Sequence, residues 1–245
     1  MKAAVFDVDG TLTDSVHLHA KAWEEAFRHF GYSIPYHKIR SQMGNTGHRL
    51  LPAFLSRREL ESIGKEIEGY RQDLFRRNFL SRIRPFAKVR ELFQRLLEDD
   101  WKIVLAAPVT DEDLAAYIKV CRISDLLSTQ PWPSIVPESR SHPDILLTAI
   151  NRLGRISPED CIIVGASQHA AKVAQNLKAH SVGFLCGGFD EEDLSHAGFD
   201  TLYWGAPDLY VKYGDSIFCR EFRDARKPDH GHGEHHTSSS YATVV

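Results

Sequence analysis

The sequence predicts an α/β protein, a parallel sheet with helices on both faces that is interrupted after its first strand by an all-helical block. Three observations carry this reading. A short apolar run at the start ends in an acid and a turn-forming glycine; the stretch after it shows only helical periodicity; and from Arg84-Pro85 to about residue 213 apolar strands and amphipathic helices alternate.

Lys2 to Phe6 is the first strand, apolar and closed by Asp7 and Gly10, as expected where a buried parallel strand hands over to a functional loop. Val16, Ala20, Trp23, Phe27 and Phe30 recur at spacings of four and three, the stripe of an amphipathic helix that Gly31 ends. Pro35 to Met43, Thr46 to Leu55 and Arg57 to Ile83 continue as polar, charge-rich helices, with Ile63, Ile67, Tyr70 and Leu74 on one face of the last. Beyond Pro85, Lys102 to Ala107, Cys161 to Val164 and Ser181 to Cys186 read as strands, and Asp111 to Val120, Pro143 to Leu153 and Ser167 to Ala179 as helices. Residues 1–15 and 85–213 therefore form the sheet domain, residues 16–84 a helical insertion, and residues 214–245 a flexible tail. Within that tail His230, His232, His235 and His236 are donors suited to a borderline metal, although solvated imidazoles are the simpler reading.

Bulk properties exclude several functions. A chain of 245 residues with 42% hydrophobic and 26% charged residues is an ordinary globular composition. Its net charge of -3 leaves no footprint for nucleic acid, and no apolar run approaches a membrane span. Cys121, Cys161, Cys186 and Cys219 are scattered through apolar segments without CxxC pairing, which reads as buried thiols in the cytoplasm.

The segment Phe6-Asp7-Val8-Asp9-Gly10-Thr11-Leu12-Thr13-Asp14-Ser15 resembles the first catalytic motif of the haloacid dehalogenase superfamily. The resemblance covers residues 1–213, and the inserted cap and Leu185-Cys186-Gly187-Gly188-Phe189 are similar to the β-phosphoglucomutase-like and phosphoglycolate-phosphatase-like members. It implies a Rossmann-like core under a helical cap and a magnesium-dependent reaction on a small phosphorylated metabolite. Asp7 would attack phosphorus to form an aspartyl-phosphate, Asp9 would serve as acid and then base, and both would sit at the metal. Gly10 and Thr11 would form the tight turn beside the substrate, and His17, His19, Asn45, His48 and Arg49 of the cap would face it. The basic residues Arg71, Arg76, Arg77, Arg82 and Arg84 are expected to pair with neighbouring glutamates.

The later motifs depart from the family pattern. The hydroxyl expected after the second core strand falls on Ala107, with Thr110 nearby; the lysine position falls on Arg140 in Ser139-Arg140-Ser141-His142-Pro143-Asp144; and the two magnesium-holding acids fall on Ala166 and Ala170. A guanidinium is bulkier than an ammonium and forks to two acceptors, so Arg140 is suited to pair with Asp7 and Asp9 together. Those three groups balance to the same charge as a family site carrying its metal. Losing such positioned charges costs about 10²- to 10³-fold in rate each. The expectation is a phosphatase-derived protein with magnesium weak or absent, impaired in catalysis and retained to bind a phosphorylated ligand or a protein partner. The alternatives are a working phosphatase or phosphomutase through Asp7, and attack of Asp7 on carbon as in dehalogenases.

Overall fold

A computed structural model describes residues 1–44, 50–107, 109–128, 135–136, 145–153 and 156–219. The first strand, β1 (Ala3–Asp7), is fully buried from Ala3 to Phe6, because both of its edges and both of its faces are covered. It pairs in parallel with β2 (Lys102–Ala106) on one side and β4 (Cys161–Gly165) on the other. With β3 (Ile135–Val136), β5 (His180–Phe184) and β6 (Thr201–Tyr203), these make a six-stranded parallel sheet in the order β3-β2-β1-β4-β5-β6. The strand order reverses between β1 and β4, which opens a crevice beyond their C-terminal ends. Asp7 lies in that crevice, opposite Ala106 in register and beside the loop that follows Gly165.

The helices are α1 (Val16–His29), α2 (Tyr36–Ser41), α3 (Arg57–Asn78), α4 (Val89–Glu98), α5 (Asp111–Cys121), α6 (Ser124–Ser128), α7 (Ile145–Arg152), α8 (Gln168–Leu177), α9 (Glu191–Ala197) and α10 (Ala206–Val211). Alternation along the strands sends Val5, Val104 and Ile163 to one face, where they pack with Leu146, Ala149 and Ile150 of α7 and Val173 and Ala174 of α8. The next residue, Phe6, faces the other way, with its ring 4.8 Å from that of Phe93 on α4. Each such side chain taken from water contributes about 1.5–3 kcal/mol.

The helical insertion has its own apolar cluster. Ala20, Trp23, Ala26 and Phe27 of α1 meet Ile39, Leu50, Leu51, Leu55 and Ile67. Gly31, at φ +85, ends the stripe of α1 as the sequence predicted. At the start of α3, the Ser56 hydroxyl accepts from the Glu59 N–H while the Glu59 carboxylate accepts from the Ser56 N–H at 2.7 Å. This reciprocal cap contributes about 1 kcal/mol.

Residues 1–212 form one compact unit, within which polar ties, described below, join the inserted helices to the sheet. A second unit begins at Tyr213, whose ring stacks on Phe218 at 6.0 Å. The His-rich tail lies outside the described residues. All four cysteines are free, three buried and Cys186 partly buried. No helix among the described residues is long and apolar enough to cross a membrane.

Candidate active site

The site is built on the loop that leaves β1. The Val8 N–H donates back to Asp7 Oδ1 at 2.8 Å, which fixes the first carboxyl at the strand end. The loop then closes tightly, with the Leu12 N–H donating to the Val8 carbonyl and the Gly10 N–H to the Thr13 carbonyl, both at 2.9 Å. Gly10 is required here: its φ is +77, and a Cβ would stand 2.7 Å from Val16 Cγ2 and 3.1 Å from Gly187 Cα.

Asp9 is held from several directions. Ser15 Oγ donates to its Oδ1 at 2.5 Å, and His19 Nε2 lies 3.1 Å from the same oxygen. Tyr117 of α5 brings its hydroxyl to 2.9 Å from that nitrogen. Phe75 of α3 stacks flat on the imidazole, with centroids 3.9 Å apart. His19 is therefore clamped between a helix of the cap and a helix of the core.

This arrangement separates the two carboxyls electrostatically. Burial, followed by the charge of Asp9, pushes Asp7 up to about 7 against the opposing Val8 hydrogen bond. Burial also acts to raise Asp9, but the charge and hydrogen bond of His19, with hydrogen bonds from Ser15 and Tyr117, hold its carboxyl below the usual range. Burial and the neighbouring Asp9 charge raise the Tyr117 phenol well above its ordinary value and keep it neutral.

The cap closes over these groups through three ties. His19 is the first. In the second, Arg40 Nη2 donates to the carbonyls of Gly187 at 2.6 Å and Gly188 at 3.1 Å, while its guanidinium lies 5.0 Å over the Phe189 ring. In the third, Arg76 of α3 forks onto Asp113 of α5 at 2.9 and 3.1 Å. That contact corrects the expectation that the cap arginines pair with surrounding glutamates, because the acid within reach of Arg76 stands on the facing core helix. Between cap and core lies a pocket whose described lining includes Asp7 and Asp9, the cap residues Trp23 and Arg71, and the core residues Ile145 and Leu146.

The altered motif positions lie behind the pocket's described lining, Ala166 against Gly10 and Gly187 and Ala170 against Gly165. Ala107 and Ala166 are each 1% exposed, and Ala170 is fully buried. Thr110 does not replace the missing hydroxyl. It caps α5, its Oγ1 3.3 Å from both the Asp113 N–H nitrogen and Arg76 Nη2. Its neighbour Val109 lines the pocket instead. Magnesium needs several oxygen ligands in near-octahedral geometry. Among the described residues no group of three or more His, Cys, Asp or Glu side chains is arranged to hold a metal, and the Asp9 carboxylate is already engaged by its protein donors. Asp7 and Asp9 are the carboxylates that the core side of the described lining would offer such an ion.

Of the residues singled out in the sequence, Asp7, Asp9 and His19 meet at the pocket. Gly10 shapes the turn beneath it, and Thr11 is fully buried with its hydroxyl unpartnered among the described residues. His17 is not among the described lining residues; it is half-buried, with its Nδ1 3.1 Å from Asp14 Oδ1. Asn45, His48, Arg49 and Arg140 lie outside the described residues. The sequence reading missed Tyr117, Ser15, and the facing of Glu68, Arg71 and Gln72 into the pocket. For the last three a signal existed, since i, i+3 and i+4 positions share one face of a helix.

A parallel sheet whose first strand ends in a pair of aspartates beneath a helical cap defines a class of hydrolase-like proteins. Residues 1–178 match the model of the haloacid dehalogenase-like hydrolase family, and the chain belongs to that family. The chain is 24% identical over 199 residues to a beta-phosphoglucomutase of Bacillus subtilis (strain 168), covering 75% of this chain and 83% of that protein. Its fold is similar to that of a hydrolase from Pseudomonas syringae, with a TM-score of 0.74, 23% identity, and coverage of 88% of this chain and 99% of that one. It is also similar to a haloacid dehalogenase-like family hydrolase from Streptococcus pneumoniae, with a TM-score of 0.72, 18% identity, and coverage of 87% and 98%.

Proposed function

We propose that this chain is a phosphatase-derived member of its family in which magnesium-dependent phosphoryl transfer is impaired and the cap–core pocket serves to bind a small ligand. The observation that carries the reading lies just beyond the ends of β2 and β4, the strands that flank β1. Alanine stands at Ala107, Ala166 and Ala170, where the family resemblance would place the hydroxyl and carboxylate groups that neutralise a phosphoryl group. Phosphoryl transfer depends almost wholly on such positioned charge.

A second reading is a working phosphatase or phosphomutase acting on a phosphorylated metabolite through an aspartyl-phosphate at Asp7. It is favoured by the meeting of Asp7 and Asp9 at the pocket under the cap and by the beta-phosphoglucomutase relative. Phosphate release from a panel of phosphomonoesters, measured with and without magnesium, separates the two. The first reading expects no magnesium-dependent release above the Asp7→Asn background. Release that needs magnesium and disappears in Asp7→Asn would establish the second.

A further inference from the structure

We propose that a second pocket, at the junction between the sheet and the inserted helices, binds a small dicarboxylate whose two ends meet Arg84 and Arg122. Its lining comes from segment 83–91 and from Val120, Cys121 and Arg122, and it shares no described residue with the pocket at Asp7.

Charge sets this pocket apart. Arg84, Lys88, Arg90 and Arg122 all line it, with Glu91 the one acid among the described lining residues. Two of the cations are engaged by acids. Arg90 forks onto Asp125 of α6 through two 2.6 Å hydrogen bonds and also donates to the Arg122 carbonyl, and Lys88 Nζ lies 2.9 Å from Glu91 Oε1. Arg84 and Arg122 meet no acid among the described residues. Arg84 Nη1 donates to the carbonyls of Ser81 and Ile83, at 3.2 and 2.9 Å, and the Arg122 guanidinium has no hydrogen bond or ion pair among the described residues. Four cations against two acids leave two positive charges on these groups, which a dianion balances. A cleft lined by charge of one sign concentrates the opposite ion. Lys88 before α4 and Arg122 after α5 both hold left-handed backbone, at φ 63 and 55, which glycine adopts at less cost. Each brings a long cationic side chain to the pocket instead.

The form of the dianion follows from what surrounds the two guanidiniums. Each is a planar fork suited to a carboxylate, and they stand on separate elements, Arg84 on the segment returning to the sheet and Arg122 at the end of α5. Phe86 and Val120, both half-buried, add apolar surface to the same lining. A short methylene chain with a carboxylate at each end answers both guanidiniums and lays carbon on carbon. Phosphate would turn oxygens toward the apolar side chains, and a single carboxylate would leave one guanidinium unanswered.

The two segments that join the sheet to the inserted helices run side by side at this pocket. Thr13 and Pro85 form an antiparallel bridge, and the Asp14 N–H donates to the Arg84 carbonyl and the Phe86 N–H to the Leu12 carbonyl, both at 2.9 Å. Cys121 Sγ lies 3.9 Å from the same Leu12 carbonyl. A ligand spanning Arg84 and Arg122 therefore ties the returning segment to α5, the helix that brings Tyr117 to His19, and steadies the loop that follows Asp9.

Titration calorimetry on the full chain in EDTA, at two temperatures and constant ionic strength, tests this with malonate, succinate, glutarate, acetate and inorganic phosphate. The best of the three dicarboxylates should bind at one site, at least about tenfold more tightly than acetate or phosphate. Arg84→Gln and Arg122→Gln should each weaken it about tenfold. Both residues are exposed, so neither change threatens folding. Arg71→Gln, in the pocket at Asp7, should leave the affinity unchanged. With the dicarboxylate at about ten times its Kd, amide exchange at Asp14 and Phe86 should slow about tenfold. No saturable binding, acetate or phosphate matching the dicarboxylates, loss of binding in Arg71→Gln, or unslowed exchange would overturn the proposal.

Discussion

Asp7→Asn should make the protein more stable in alkaline buffer and leave it nearly unchanged in acid. Asp7 titrates at about 7 in the folded chain against an ordinary value of 3.8, so between those values the folded state binds the proton that the unfolded state has lost. Stability is therefore full below about pH 4 and falls as pH rises toward 7, after which the cost is constant. Three pKa units correspond to about 4 kcal/mol. Because the carboxyl keeps the Val8 hydrogen bond and shares its site with Asp9, about 2–4 kcal/mol is expected. The amide keeps the shape of the carboxyl, and its oxygen still accepts the Val8 N–H, so removal of the charge is the main change. Urea unfolding in EDTA at pH 4 and pH 8.5 measures the difference, with a Tm rise of about 2–4 °C per kcal/mol at the higher pH. An Asn variant less stable than the parent at pH 8.5, or differing equally at both pH values, would refute the claim that Asp7 carries an uncompensated buried charge.

Three other outcomes follow from the packing and the surface ion pairs. Phe27 is fully buried, with its ring 5.8 Å from Trp23 and 5.5 Å from Phe54; Phe27→Ala should cost about 3–5 kcal/mol in urea unfolding. The Arg76 side chain is 43% exposed and that of Asp113 14%, so a double-mutant cycle with Arg76→Met and Asp113→Asn should give a coupling of about 1 kcal/mol that shrinks in high salt. The Arg90 hydrogen bond holds Asp125 down at about 2. Its stabilisation is present above the ordinary carboxylate range and is lost as pH falls through 2, and Arg90→Gln should flatten that acid limb of the stability curve.

Local pattern carried the strand β1, the acidic turn and the cap helices into view, because each is a contiguous signal of one period. The edge strands β3 and β6, with two and three residues, are too short to show any period. The two histidines of α1 illustrate the limit within the site. Residues two apart on a helix point to nearly opposite sides, so His17 faces solvent while His19, three after Val16 and four before Trp23, lies on the buried stripe. That spacing was legible. Its partner Tyr117 was not, since it is 98 residues away in the chain and only the closure of α5 against the cap brings it to the imidazole. The alanines at the altered motifs could be read directly, but their consequence depended on Asp9 being filled by Ser15, His19 and Tyr117, a three-dimensional fact.

The deciding property of the carboxyl pair is whether it takes up a divalent cation. Thermal unfolding of the full chain at pH 7, with EDTA and then with magnesium stepped to 10 mM, measures this through the coupling of binding to stability. A Tm unmoved by magnesium beyond the shift produced by an equal ionic strength of sodium chloride is the predicted result. A rise that saturates with magnesium and is lost in Asp7→Asn would contradict it.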